Sequence, residues 1–235
     1  MHKSGNLREN IRVARHRYAG VLFAALVSLL FGARSVHAAE NETPGLFKAA
    51  LEGPLHDIEE VVYATRGPGR EWHFYANFGY VCQQPDNWKY GTGPGQLCKY
   101  NLRTGEVTVL LEDLNGAVRD PDVHWSGEKI LFSYRKGGSH YYHLYEINAD
   151  GSGLRQLTDG PWDDMEACYL PSDEIIFCSS RARRYVPCLN TQVAILYKCD
   201  ADGGNIRRLS ANVETESTPA VMPDGRVIFM RWEYV

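Results

Sequence analysis

Asn148-Ala149-Asp150-Gly151-Ser152-Gly153-Leu154-Arg155-Gln156-Leu157-Thr158 is answered 52 residues later by Asp200-Ala201-Asp202-Gly203-Gly204-Asn205-Ile206-Arg207-Arg208-Leu209-Ser210. A degenerate earlier copy runs from Asn101-Leu102-Arg103-Thr104-Gly105 to Glu106-Val107-Thr108-Val109-Leu110. A second motif is phased with the first. Leu131-Phe132-Ser133, Phe177-Cys178-Ser179 and Phe229-Met230-Arg231 each close a strand that follows a short turn. The turns are Trp125-Ser126-Gly127-Glu128, Leu170-Pro171-Ser172-Asp173 and Met222-Pro223-Asp224-Gly225. A recurrence of about 45–52 residues is the length of one four-stranded propeller blade.

Working outward, Glu60–Ala64, Leu97–Asn101 and Val107–Leu111 read as strands of a first blade. Lys129–Ser133, Tyr142–Ile147 and Leu154–Leu157 belong to the next, and Glu174–Cys178, Val193–Lys198 and Ile206–Leu209 to the one after. Alternation is imperfect because middle strands are covered on both faces. Asp150-Gly151 and Asp202-Gly203 supply the turns before the fourth strands, where positive φ is needed. The expected fold is all-β, a propeller of four-stranded antiparallel blades with about three and a half blades present. The expected blades are 59–117, 118–163, 164–215 and a truncated 216–235, after a partly helical lead-in at 39–58. A small sandwich of the same strands is the alternative. Residues 67–97 read as a loop-rich insertion, broken by Gly67-Pro68-Gly69 and Gly91-Thr92-Gly93-Pro94-Gly95.

Residues 1–38 read as a signal peptide. Lys3, Arg8, Arg12, Arg15 and Arg17 precede the apolar run Ala19–Gly32, and Val36-His37-Ala38 fits a small-x-small cleavage site. The run is short for a membrane span, so an uncleaved anchor is the weaker reading and no span is expected after cleavage. The segment holds six of the 25 Lys/Arg and one of the 29 Asp/Glu. Its removal leaves 19 basic and 28 acidic residues, and takes the formal charge from −4 to −9. Such a surface argues against nucleic acid, which needs a basic footprint. The expected location is periplasmic or secreted.

The repeat resembles the TolB-like, WD-type propeller family, marked by a Pro-Asp-Gly turn before a strand and an Asp-Gly-Ser…Leu-Thr close. Pro223-Asp224-Gly225 and Asp150-Gly151-Ser152 through Leu157-Thr158 carry that resemblance. Ile130–Arg135, His143–Ile147, Arg183–Cys188 and Met230–Val235 are similar to large exported planctomycete propeller proteins that share the middle domain of the hydrazine synthase alpha subunit. That lineage implies haem chemistry, yet no Cys-x-x-Cys-His occurs here, so no haem site is carried over.

Three sets of residues are candidates for chemistry. Asp120, Asp122, Asp163, Asp164, Glu166, Glu214 and Glu216 recur where one blade hands over to the next, and their convergence would suit a divalent cation or cationic ligand. The competing reading is solvated turn residues and strand-start caps. Arg181, Arg183, Arg184 and Arg231 are candidate anion contacts, or else partners of a neighbouring blade's acids. Six cysteines in an exported chain favour disulfides, with Cys82–Cys98 and Cys178–Cys188 as the candidate pairs and buried thiols as the alternative. His140 and His143 would point to opposite faces of a strand, which disfavours joint metal ligation. No Gly-x-Ser-x-Gly elbow or phosphate-binding Gly-rich loop is present.

The expected function is an exported binding or scaffold module with no catalytic residues, no metal and no cofactor of its own. Its partner is a protein or small molecule, beside further C-terminal blades of the same protein. The alternatives are the propeller portion of a hydrazine-synthase-alpha-like redox enzyme, with haem sites elsewhere, and the N-terminal propeller of an exported peptidase.

Overall fold

The computed structural model describes residues 43–67, 80–81, 84–88, 93–187 and 189–233, and the segment 1–38, expected to be a signal peptide, lies outside them. The described chain forms two compact units. One contains the residues up to Val62 together with Lys99–Thr108, and the other contains Tyr63–Cys98 and the chain from Val109 onward.

In the first unit the expected lead-in helix is α1 (Thr43–Glu52). Its Phe47, Ala50 and Leu51 pack on Leu55, Ile58, Val61 and Leu102. Arg103 donates to the carbonyls of Leu51 at 3.2 Å, Leu55 at 3.3 Å and His56 at 2.6 Å. Leu51 is in the last turn of the helix and Leu55 and His56 follow it, where carbonyls lack an intrahelical partner, so a guanidinium fork is a fitting cap.

Strands β1 (Glu60–Thr65), β4 (Gly95–Asn101) and β5 (Val107–Asp113) form a three-stranded sheet with β4 in the middle. Two four-stranded antiparallel blades follow. The first is β6 (Ala117–Val123), β7 (Lys129–Arg135), β8 (His143–Asn148) and β9 (Arg155–Gln156). The second is β10 (Asp164–Tyr169), β11 (Ile175–Ser179), β14 (Ile195–Cys199) and β15 (Arg207–Arg208). A half-blade, β16 (Glu216–Val221) with β17 (Val227–Arg231), is last. The chain is thus an all-β, incomplete propeller. The middle strands β7, β8, β11 and β14 are buried almost throughout, which explains their continuous apolar runs.

The repeated motifs have physical reasons. The turns from first to second strand place Gly127, Asp173 and Gly225 at φ 75, 64 and 85, each donating its N–H to the carbonyl three residues back. Gly151 and Gly203 stand at φ 88 and 89 in the later turns. A Cβ on Gly203 would meet the Leu157 carbonyl oxygen at 2.0 Å, so only glycine fits there. The hydroxyl ending each Leu-Thr/Ser pair completes a ladder. Thr158 Oγ1 accepts from Leu144 N at 3.0 Å, and Ser210 Oγ accepts from Leu196 N at 3.1 Å.

Register corrects one motif. Phe132 lies opposite Tyr145 and Phe177 opposite Tyr197, both pairs with centroids 6.2 Å apart and planes at 30°. Arg119 faces Ser133, Met165 faces Cys178 and Ser217 faces Met230. Phe132, Phe177 and Phe229 are therefore equivalent, and the true first copy is Phe132-Ser133-Tyr134. Ser133 and Ser179 are one position out of register with each other.

The insertion expected as loop also differs. β2 (Tyr80–Val81) and β3 (Gln84–Trp88) join β12 (Tyr185–Val186) and β13 (Leu189–Gln192) in a separate four-stranded sheet, ordered β12-β13-β2-β3. Its central pairing brings Thr191 opposite Val81. Strands this short, paired across such a separation, leave little local signal. Pro85 is admissible because β3 is an edge strand.

Candidate functional site

β6, β10 and β16 open their sheets, and β10 packs against both β6 and β16. Each carries a bulge at the same place, with a register shift between Arg119 and Asp122, Met165 and Cys168, and Ser217 and Ala220. The bulges hold Asp120, Glu166 and Thr218 at φ 53, 53 and 49. Aspartate tolerates this left-handed geometry. A β-branched threonine does so only under constraint, at a cost of about 1–3 kcal/mol. The constraint comes from the preceding blade: Glu166 N donates to Ser133 Oγ at 3.1 Å, and Thr218 N donates to Glu166 Oε2 at 2.6 Å.

Arg119 ties this row together. Its Nε donates to Asp120 Oδ2 at 2.5 Å, Nη2 to Glu166 Oε1 at 3.0 Å and Nη1 to Met165 Sδ at 3.5 Å. Its guanidinium carbon lies 5.9 Å from the centre of the Tyr142 ring. The whole group is buried, and the adjacent carboxylates drive its pKa upward despite desolvation. Burial and the neighbouring Asp120 push Glu166 up to about 7, against the pull of Arg119 and the Thr218 amide.

A second cluster lies at the start of β10. Asp163 is buried, accepts from Tyr142 N at 2.9 Å and is pushed up to about 7, chiefly by desolvation and then by Asp164. Asp164 accepts from Ser179 Oγ at 2.6 Å and from Arg181 Nε at 3.1 Å on one oxygen, and from Arg181 Nη2 at 2.7 Å on the other. Arg181 also donates to the Asp159 carbonyl at 3.0 Å, and Arg181 and Arg183 lie 5.0 and 5.1 Å from the Trp162 ring.

The remaining candidates are dispersed. Asp122 Oδ2 accepts from Tyr169 N of the next blade at 3.0 Å. Glu216 Oε2 accepts from Leu196 N at 3.2 Å and from the Ser210 hydroxyl. Glu214 is buried, its pKa raised by desolvation. Arg184 gives its carbonyl to Val193 N, and exposed Arg231 pairs with Glu233 at 2.7 Å. Asp163, Asp164, Glu166, Glu214 and Glu216 are buried rather than solvated, and Asp163, Glu166 and Glu216 accept from backbone amides as caps do. The structure brings Asp120 and Glu166 together through Arg119. Among the described residues, no group of three or more His, Cys, Asp or Glu is placed to hold a metal ion.

Cys98, Cys178 and Cys199 are buried free thiols, and Cys168 is buried as well. Cys82 and Cys188, the expected partners of Cys98 and Cys178, lie outside the described residues. Arg119 and Ser133 were not singled out from sequence. The available signal was a lone arginine in Ala117-Val118-Arg119-Asp120, at a strand start whose counterparts in later blades carry acids.

No known protein family profile matches the sequence. A 66-residue stretch is 44% identical to hydrazine synthase subunit alpha of Kuenenia stuttgartiensis, covering 27% of this chain and 8% of that protein. The solved Kuenenia stuttgartiensis hydrazine synthase matches 73% of this chain and 27% of its own at a TM-score of 0.57 and 19% identity, a likeness of fold. TolB from Acinetobacter baumannii matches 84% of this chain and 55% of its own at a TM-score of 0.46 and 16% identity. The chain is a β-propeller with a fold like that of the solved hydrazine synthase. It spans 8% and 27% of the hydrazine synthase chains and 55% of TolB, less than two thirds of each. No described helix is long and apolar enough to cross a membrane.

Proposed function

We propose that this chain is an exported β-propeller module that scaffolds or binds a partner and carries no catalytic residues of its own. One observation supports it most. The polar groups at the blade starts, Arg119 foremost, are engaged by neighbouring blades: Arg119 with Glu166, Glu166 with Thr218, and Asp122 with Tyr169. Groups held this way serve rigidity rather than proton transfer. The N-terminal 1–38 segment supports export, and the mature charge of −9 suits a neutral or cationic partner. Further blades of the same protein complete the propeller in this reading.

The test is to express the precursor with a functional export pathway, then measure the mass and melting of the product. Cleavage after Ala38 and one cooperative, monomeric transition are expected. An uncleaved chain retained in the cytoplasm would refute export, and a molten or aggregated product would refute a self-sufficient module.

A second reading is favoured by the 44% identical stretch. The chain is then the propeller portion of a multidomain redox enzyme like hydrazine synthase, its haem groups held outside these residues. Covalent haem on the full gene product, detected by its absorption after denaturation, decides for it.

A further inference from the structure

Phe229 repeats the position of Phe132 and Phe177, yet it is 37% exposed where both of those are fully buried. Its neighbours follow suit. Ile228 is 59% exposed against 0% for Leu131 and 3% for Ile176, and Met230 is 53% exposed against 0% for Ser133 and Cys178. The difference has one cause: in the complete blades a third strand lies on β7 and β11, whereas no described strand pairs with the free edge of β17. An unpaired edge with exposed apolar side chains is a template for another strand.

The two complete blades specify what fits. Opposite Ser133, Phe132, Leu131 and Ile130 stand Leu144, Tyr145, Glu146 and Ile147. Opposite Cys178, Phe177, Ile176 and Ile175 stand Leu196, Tyr197, Lys198 and Cys199. The shared pattern is Leu-Tyr-charged-apolar, running antiparallel, with tyrosine against the phenylalanine. The source is also repeated, since β8 begins eight residues after β7 ends and β14 sixteen after β11 ends.

We propose that the β17 edge, Val227–Arg231, is the seat of an antiparallel Leu-Tyr-charged-apolar strand supplied by the same polypeptide beyond Val235. In this register the tyrosine covers Phe229, the leucine faces Met230 and the charged residue faces Ile228. The inference rests on the scaffold reading, in which further blades of the same protein follow.

The probe is a synthetic peptide copying Tyr142–Asn148, added to the mature chain, with its Tyr145→Asp version as control. Hydrogen exchange is read at residues 227–231 and, as an internal standard, at 130–134 and 175–179. Slowing of at least tenfold at 227–231 with the first peptide and none with the control is expected. No slowing at millimolar peptide, with the standard segments protected, would overturn the proposal. So would protection of 227–231 without peptide that grows with protein concentration, because a second copy would then be the occupant. If the standard segments themselves exchange freely, the self-sufficient module falls, and a chain carrying the peptide on an eight-residue Gly/Ser linker after Val235 decides the edge. Restored protection at 227–231 supports the proposal, and its absence ends it.

Discussion

Arg119 Nη2 and Glu166 Oε1 stand 3.0 Å apart across a blade boundary, their side chains 5% and 6% exposed. A buried pair adds little net stability over an apolar replacement of both partners, but removing one partner strands the other. Arg119→Met should therefore destabilise the chain by about 3–5 kcal/mol. Arg119→Met combined with Glu166→Gln should recover a substantial part of that loss. Urea midpoints of the single and double variants check this, and a single variant within about 1 kcal/mol of wild type would remove Arg119 from its tying role.

The buried carboxyls make stability depend on pH. Asp163 and Glu166 are both held near 7, above their values in an unfolded chain, so the folded state retains protons that the unfolded state has lost between about pH 4 and 7. Stability from these groups is therefore present at low pH and declines as pH rises through 7, by on the order of 1 kcal/mol per unit. Asp163→Asn keeps an acceptor for Tyr142 N and should flatten the decline, with a gain over wild type at pH 8. Parallel stability profiles from pH 5 to 8 for the two proteins would disprove the assignment to Asp163.

Asp113 has the opposite sign. Burial opposes ionisation, but Tyr134 Oη and the amides of Asn115, Gly116 and Gly137 donate to it at 2.6 to 2.9 Å and hold it at about 2. Its contribution is complete above the usual aspartate range and is lost as pH falls towards 2. Asp113→Ala should cost about 2–3 kcal/mol at neutral pH and lessen the acid-side loss. An acid-unfolding curve unchanged by the substitution would contradict this.

Thr218 carries strain that glycine would relieve. Its φ is 49 and its N–H, which glycine retains, donates to Glu166. Thr218→Gly should stabilise by about 0.5–1 kcal/mol, although glycine in a strand is ordinarily unfavourable. A loss of more than 1 kcal/mol in thermal or urea unfolding would show that the bulge is not strained.

Thr158→Val is nearly isosteric but leaves Leu144 N without its acceptor inside the sheet. The expected loss is about 1–3 kcal/mol, and a smaller loss is expected for Ser210→Ala, because Leu196 N keeps Glu216 Oε2 at 3.2 Å. A neutral outcome at both sites would mean that water replaces the hydroxyl.

How legible these features were follows from how local they are. Leu157-Thr158 and Asp202-Gly203 announced the blade because each works within one sheet, through a ladder hydrogen bond or a left-handed turn. The Phe–Tyr pairs were visible as apolar runs, but the register between copies was not, because Ser133 and Ser179 look alike and only pairing shows that they differ in position. The Arg119 row was illegible. Its partners lie 46 to 52 residues apart in successive copies, and an acid in a blade connection reads as a turn residue until burial is known. The sheet formed by 80–88 and 185–192 was hidden for the same reason, at twice the distance.

That sheet limits how the blades can be treated as interchangeable parts. Thr191 meets Val81 at a sequence separation of 110, and closing so long a stretch of flexible chain costs about 4 kcal/mol of entropy before the pairing is made. Grafting another protein's blade in place of 164–208 would remove β12 and β13 and orphan β2 at once. A repeat architecture usually permits units to be shuffled one at a time. Here an engineer must move the insertion at 80–88 and the hairpin at 185–192 together, so for recombination the smallest exchangeable piece of this molecule is larger than a blade.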